Sequence, residues 1–323
     1  MVSVSAIPSD DPRAPTPEPT RAPLQSKWKP YWYIAPVIVS AVLFTIVPFL
    51  YTFYISFTNW GLFNFIEFDR VGLDNYRYLF QQSGEFLPVL RFTILFMVLT
   101  TLINVGFGLF LALMLNHPGI PERNLYRTLL IIPWALPFIL LIQVWTGIFN
   151  NQGPINELLM SVGLDSQTWI PQLGDSLLPR SALFFVNLWF TYPFFMTVGL
   201  AALQSIPRDL YEVADLDGAG TWARFKDITV PFLVSATVPL LITQAAFQIN
   251  NAGIIILFTA GLPAGAPGAS WGKTDTLASY AYDVVFILRD YGLGAAYGVV
   301  TFVMIAVLII VSSITTRSFA EVD

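Results

Sequence analysis

The chain has 323 residues, of which 55% are hydrophobic and only 11% charged, with a mean hydropathy of +0.64 and a formal charge of −5. A water-soluble domain carries about a quarter of its residues as charged side chains, so this composition belongs to a membrane protein. Cysteine is absent and His117 is the sole histidine, which excludes disulfides, thiolate or histidine-rich metal sites and a histidine relay; the sequence also has no glycine-rich phosphate loop and no basic block to support nucleic-acid binding.

Residues 1–27 are rich in Pro, Ser, Thr and Ala, include Pro15-Thr16-Pro17-Glu18-Pro19 and lack apolar periodicity. They predict a disordered cytoplasmic tail ahead of a transmembrane domain over 28–323. The apolar run beyond the tail is about twice the length of a secretory signal core, and no small-residue cleavage pattern follows it. It is therefore expected to stay in the protein as a first span.

Six apolar runs, each long enough to cross about 30 Å of hydrocarbon, alternate with short polar links. They read Tyr31 to Phe57, Val89 to Leu115, Thr128 to Phe149, Ser181 to Leu203, Phe232 to Thr259 and Tyr291 to Ser313. The fold class is thus an all-α polytopic membrane protein. Arg91 is the one charged side chain inside these runs, close enough to an end to snorkel. Trp32, Trp145 and Trp189 read as anchoring or packing rings. Lys and Arg fall ten to one side (Arg13, Arg21, Lys27, Lys29, Arg123, Arg127, Arg208, Arg224, Lys226, Arg317) and six to the other (Arg70, Arg77, Arg91, Arg180, Lys273, Arg289). The bias predicts that both termini are cytoplasmic.

The link over 204–231, QSIPRDLYEVADLDGAGTWARFKDITVP, is too patterned for an idle connector. Pro207 suits the entry to a helix, and Asp209 and Glu212 suit its positive end. Leu210, Val213, Ala214 and Leu216 form an apolar patch, Asp217-Gly218 breaks the helix, and Thr221 is placed to cap a second one. Two readings stay open: an amphipathic segment lying on the membrane, or a docking element for a soluble partner.

The spacing Glu212-x-Ala214-x-x-Asp217-Gly218-Ala219, followed by Phe225, Ile228 and Pro231, resembles the signature loop of permease subunits of bacterial binding-protein-dependent ABC importers. Val71 to Tyr76, Tyr126-Arg127-Thr128, Gly153-Pro154-Ile155-Asn156, Asn187 to Pro193, Ala202 to Pro207, Asn250-Asn251 and Thr274 to Tyr280 extend the resemblance, most closely to the larger permease of maltose and maltodextrin importers. That resemblance implies a type I importer permease fold of six spans in the bacterial cell membrane. It also implies a second homologous permease, a dimer of ATPase subunits that bind ATP and Mg, and an extracytoplasmic sugar-binding protein as partners. The chain itself would carry no cofactor and no catalytic residue. Glu212, Ala214, Asp217, Gly218 and Ala219 would form the coupling element. The enterobacterial relatives carry two further N-terminal helices and a large external domain; neither is expected here, and the external link between spans one and two runs only over 58–88.

A hydrated sugar crossing a bilayer needs hydrogen-bond partners and aromatic faces. Span five offers Thr243, Gln244, Gln248, Asn250 and Asn251, with Phe247 one turn from Asn251; span four offers Asn187, Thr191 and Phe194 along one stripe. Interhelical hydrogen bonding is the competing reading for each of these amides. The resemblance implies that Asn187, Phe190, Thr191, Phe194, Phe247, Gln248, Asn250 and Asn251 line the sugar site. Thr191, Phe194 and Gln248 depart from the maltose permease, where glycine, tyrosine and asparagine stand, which points to a related glucoside such as trehalose or another oligomer length. A secondary sugar transporter would want a carboxylate in the membrane core, and a membrane-embedded enzyme clustered His or carboxylates; neither is present in the six runs.

Overall fold

Where water is absent, backbone N–H and C=O groups must pair within their own segment, so uninterrupted apolar runs of this length become helices. The computed structural model describes residues 29–82, 84–117 and 119–320. The expected tail over 1–27 lies outside these residues. Among the described residues five helices are long and apolar enough to cross a membrane: Tyr31–Ile55, Phe86–Asn116, Leu177–Ser205, Thr221–Ile249 and Tyr291–Ile314. We number them spans one, two, four, five and six. A sixth crossing is a bent pair, Arg123–Ala135 and Phe138–Ile148, and forms span three.

By compactness the chain divides at Leu50 into two units. The described part of the first is the opening stretch of span one, whose large apolar side chains are exposed. The second unit, from Tyr51 onward, holds the packed bundle.

Two of the spans differ from their sequence reading. Span three turns by 94° at its break instead of running straight from Thr128 to Phe149. The cause is Pro137: it forces Leu136 out of the helical region to φ −90°, ψ 151°, and has no N–H with which to continue the ladder. Span five ends at Ile249 rather than continuing to Thr259. Asn251 sits at φ −80°, ψ 67°, and a separate short helical stretch begins at Ala252. Irregular backbone at this depth persists where protein or a cavity covers it.

Among the described residues, spans two and four share the most extensive helix–helix contact. A Cβ on Gly108 would fall 2.5 Å from Cβ of Phe195, and one on Gly199 would fall 2.9 Å from Cβ of Ala112. Small residues let the two backbones approach, which is how membrane helices gain packing without a hydrophobic driving force. Phe96, Ile142, Leu183 and Ile254 are fully buried in one cluster, and Ala112, Met196 and Leu233, from spans two, four and five, are buried in another. Trp145 and Trp189 pack edge to face on each other at 5.3 Å and lie against the first cluster, so both are packing residues; Trp189 stands well inside span four.

Several motif residues prove to be loop architecture. Asn75 Nδ2 donates to the carbonyls of Ser56 and Thr58 at 2.9 and 2.8 Å, fixing the link after span one. Asn156 exchanges hydrogen bonds with the Gln167 backbone at 2.9 Å in both directions and accepts from Trp169 Nε1 at 3.2 Å. Thr276 and Ser279 form a reciprocal capping box at the start of the helix Leu277–Phe286, with buried Asp275 beneath it.

Candidate functional site

The bend in span three, the middle of span four and the end of span five enclose a cavity of about 500 Å³. This lies within the range of small-ligand sites, roughly 300–1,000 Å³. Asn187, Phe190, Thr191 and Phe194 reach it from span four, and Gln244, Phe247 and Asn251 from span five and its break. Pro133, Trp134, Leu136 and Phe138 complete the wall from the span-three bend. The rings meet across it, Phe138 against Phe190 at 5.2 Å and Trp134 against Phe194 at 6.1 Å. No ionisable side chain lines the cavity.

Behind this wall runs a chain of amides. Asn104 on span two donates through Nδ2 to Asn187 Oδ1 at 2.9 Å. Asn187 and Gln248 pair reciprocally, Gln248 Nε2 donating to Asn187 Oδ1 at 3.0 Å and Asn187 Nδ2 to Gln248 Oε1 at 3.3 Å. Asn251 Nδ2 donates to the same Gln248 oxygen at 3.1 Å. Asn104 and Gln248 are fully buried; the network pairs both polar atoms of Gln248 and the Nδ2 of Asn104, while Asn104 Oδ1 has no protein partner. Gln244 Nε2 has no protein partner although it is buried. Gln244 lines the cavity, where this donor is available to a water or a ligand.

The geometry divides the eight residues proposed from sequence. Six of them, Asn187, Phe190, Thr191, Phe194, Phe247 and Asn251, line one cavity. Gln248 stands behind them as a bridge, and Asn250 is exposed outside the lining. The expected single helical face through Phe247 and Asn251 does not exist, because the helix ends between them. The break brings both side chains to the cavity instead. Asn104 escaped the sequence reading because one amide in an apolar run is a weak signal; its place amid Thr100 and Thr101 was the available hint.

The link after span four folds as a helix, Arg208–Leu216, a tight turn and a second helix that continues into span five. Gly218 adopts φ +75°, a conformation that glycine reaches without a Cβ penalty. Its N–H donates to the Asp215 carbonyl at 3.1 Å, and the Ala219 N–H to the Ala214 carbonyl at 2.9 Å. This paired closure is the Schellman arrangement. Gly220, not Thr221, caps the second helix, and Thr221 makes no side-chain cap bond. Arg224 pairs with Asp215 across the turn, and Tyr211 Oη bonds Thr229 Oγ1 at 2.9 Å. Leu210, Val213 and Leu216 stay exposed, Leu216 at 88%. Glu212, Asp217 and Gly218 are also exposed, with Ala214 and Ala219 half-buried beside them. Among the described residues, no atom beyond Gly218 and its two chain neighbours lies within 4 Å of where a Cβ on Gly218 would be.

Crossing helices around an uncharged cavity, with a rigid helix–turn–helix outside them, define a polytopic transport subunit. Residues 104–321 match the family model described as the binding-protein-dependent transport system inner membrane component, and the chain belongs to that family. It is 32% identical over 304 residues to the galactooligosaccharides transport system permease protein GanP of Bacillus subtilis, covering 92% of this chain and 72% of the relative. Over 256 residues it is 35% identical to the maltose/maltodextrin transport system permease protein MalF of Klebsiella aerogenes, covering 76% of this chain but only 49% of the relative. The chain thus spans about half the length of that MalF protein. A crystal structure of a bacterial alginate ABC transporter in complex with an alginate pentasaccharide-bound periplasmic protein superposes with a TM-score of 0.76 at 23% identity, over 90% of this chain and 95% of the other, and shares its fold. The all-α architecture with up to six spans is that of type I importer permeases.

Proposed function

We propose that this chain is a transmembrane permease subunit of an ATP-driven importer for maltose, maltodextrins or a related neutral glucoside such as trehalose. The cavity carries the reading: aromatic faces and uncharged amide and hydroxyl groups suit a neutral polyol, and no side chain in the lining would balance an anion. Relatives named for maltodextrin and maltose transport support the substrate class. A second reading, a neutral galactooligosaccharide, is favoured by the relative named for that transport, which aligns over most of this chain.

In this reading Asn187, Phe190, Thr191, Phe194, Phe247 and Asn251 form the sugar site. Gln248 acts through its bonds to Asn187 and Asn251, and Asn250 belongs to the break that positions Asn251. The chain performs no chemistry. A dimer of ATPase subunits binds ATP and Mg and hydrolyses the nucleotide, an extracytoplasmic binding protein delivers the sugar, and a second homologous permease completes the pathway. Glu212, Ala214, Asp217, Gly218 and Ala219, with the exposed apolar row beside them, dock the ATPase. Its closure then moves the turn and alternates access around the cavity. The chain spans a bacterial cell membrane with both termini, including a tail over 1–27, on the cytoplasmic side.

The deciding experiment is uptake of labelled maltose, maltotriose, trehalose and a galactooligosaccharide by the reconstituted transporter, with and without the binding protein. ATP-dependent uptake of a glucoside supports the first reading and uptake of the galactooligosaccharide alone the second. Accumulation driven by an ion gradient without ATP would overturn both.

A further inference from the structure

A second cavity, of about 290 Å³, lies apart from the first where the start of span two meets the start of span four and the link before span six. Three cations line it, Arg91, Arg180 and Lys273, together with Phe92, Trp271 and Leu95. Arg180 is held in place: it stacks over Phe92 at 4.6 Å and donates twice to the Lys273 carbonyl, at 2.7 and 3.1 Å. Lys273 Nζ donates to the Gly174 carbonyl at 2.6 Å. These acceptors are neutral. Among the described residues no carboxylate oxygen lies within 4.0 Å of any of the three cations. Asp175 is the one acidic group whose charge bears on Arg180, from beyond that distance.

Three like charges converge on one cavity without a counter-ion of their own, which is unfavourable unless an anion joins them. Arg91 adds the direction. It belongs to an exposed apolar row of span two that runs Leu87, Leu95, Val98 and Leu102, spaced along one helical face. An anion seated here therefore has hydrocarbon-compatible surface leading away from it.

We propose that this cavity binds the phosphate of an anionic phospholipid, with an acyl chain lying along the row from Leu95 to Leu102. Arg91 and Arg180 supply the forked donors that suit a phosphate, and Lys273 supplies a point charge. Trp271 covers the headgroup side. The site is independent of the sugar cavity and of the substrate assigned to it.

The test is native mass spectrometry of the assembled transporter in neutral detergent, titrated with phosphatidylglycerol, with phosphatidylcholine, and with phosphatidylglycerol plus inorganic phosphate. Phosphatidylglycerol should be retained in preference to phosphatidylcholine and should resist displacement by phosphate. Arg91→Gln, which breaks no internal hydrogen bond seen in the structure, should weaken its retention about fivefold, the worth of one cation near a lipid surface. Lys273→Gln should act in the same direction. Equal retention of the two lipids, unchanged retention in both variants, or displacement by inorganic phosphate, which marks a site for the free ion, would each overturn the proposal.

Discussion

Asn187 and Gln248 face each other across spans four and five as a two-way amide pair, at 3.0 and 3.3 Å, with Asn104 and Asn251 attached at either end. The pair couples three spans to the break in the backbone at which Asn251 turns toward the cavity. One arrangement thus serves helix association and site geometry together.

Removing one partner should cost more than removing both. Asn187→Leu strands Gln248 and Asn104, each buried, and should destabilise the protein by about 1–2 kcal/mol. The double change Asn187→Leu, Gln248→Leu should recover part of that loss, because the donor it strands in place of the fully buried Gln248 is Asn251, which is only half-buried and lines the cavity. Thermal unfolding in detergent reads both, and a double variant no more stable than the single one would show that the two amides do not act as a unit.

At the cavity wall, Asn251→Ala should remove a polar partner and cost about 1–3 kcal/mol of sugar interaction. Uptake should fall while assembly with the ATPase and sugar affinity of the separate binding protein stay unchanged. Thr191→Gly should enlarge the space beside Phe194 and raise maltotriose uptake relative to maltose and trehalose. An unchanged ratio across the three sugars would remove Thr191 from the residues that set selectivity.

Composition and charge spacing made the spans legible, since burial of an uncharged run has one structural solution in a bilayer. The breaks were less legible. Leu136-Pro137 carries a local rule that stops a helix, yet apolar length alone joined Thr128 to Phe149. Asn250-Asn251 reads as a helical stripe until the backbone leaves the helix there. The wall formed by Trp134 and Phe138 was hidden for the same reason, because a bend places side chains that no periodicity can. Gly218 was legible as a turn, and the structure adds that its own chain leaves the space around it open.

That open space separates two roles for Gly218. A leucine at φ +75° strains the backbone by about 1–2 kcal/mol, whereas asparagine tolerates the left-handed region and merely adds bulk. If the ATPase packs directly on the turn, both Gly218→Leu and Gly218→Asn should leave the permease inserted but lose sugar-stimulated ATP hydrolysis. Leu216→Asp should do likewise by placing a charge in the docking face. Normal coupled turnover in Gly218→Asn would reduce the glycine to a requirement of the turn.

The orientation can be read chemically because the chain lacks cysteine. Single cysteines at Asp165 and Ser270, both exposed, should react with an impermeant maleimide added outside intact cells. Cysteines at Glu122 and Arg208, also exposed, should react only after the membrane is opened. Labelling of position 208 from outside would invert the topology and remove the coupling assignment with it.

Acid should stabilise the link that precedes span six. Burial pushes the Asp275 carboxyl up from 3.8 to about 6, against the opposing bonds from the Gly272 N–H at 2.7 Å and the Ser279 hydroxyl at 2.9 Å. Asp283 is pushed up to about 7, by burial first and by the Asp275 charge second. Both folded values stand above the unfolded one, so between pH of about 4 and 7 the folded state holds protons that the unfolded chain releases. Stability contributed by the neutral carboxyls is therefore present at the acid end and lost as pH rises through 6 and 7. Asp283→Asn, which fixes the neutral form and removes the Coulomb partner of Asp275, should flatten this decline. Unfolding midpoints of the detergent-solubilised transporter across that range measure it, and a wild-type midpoint that rises with pH would contradict the burial of these two carboxyls.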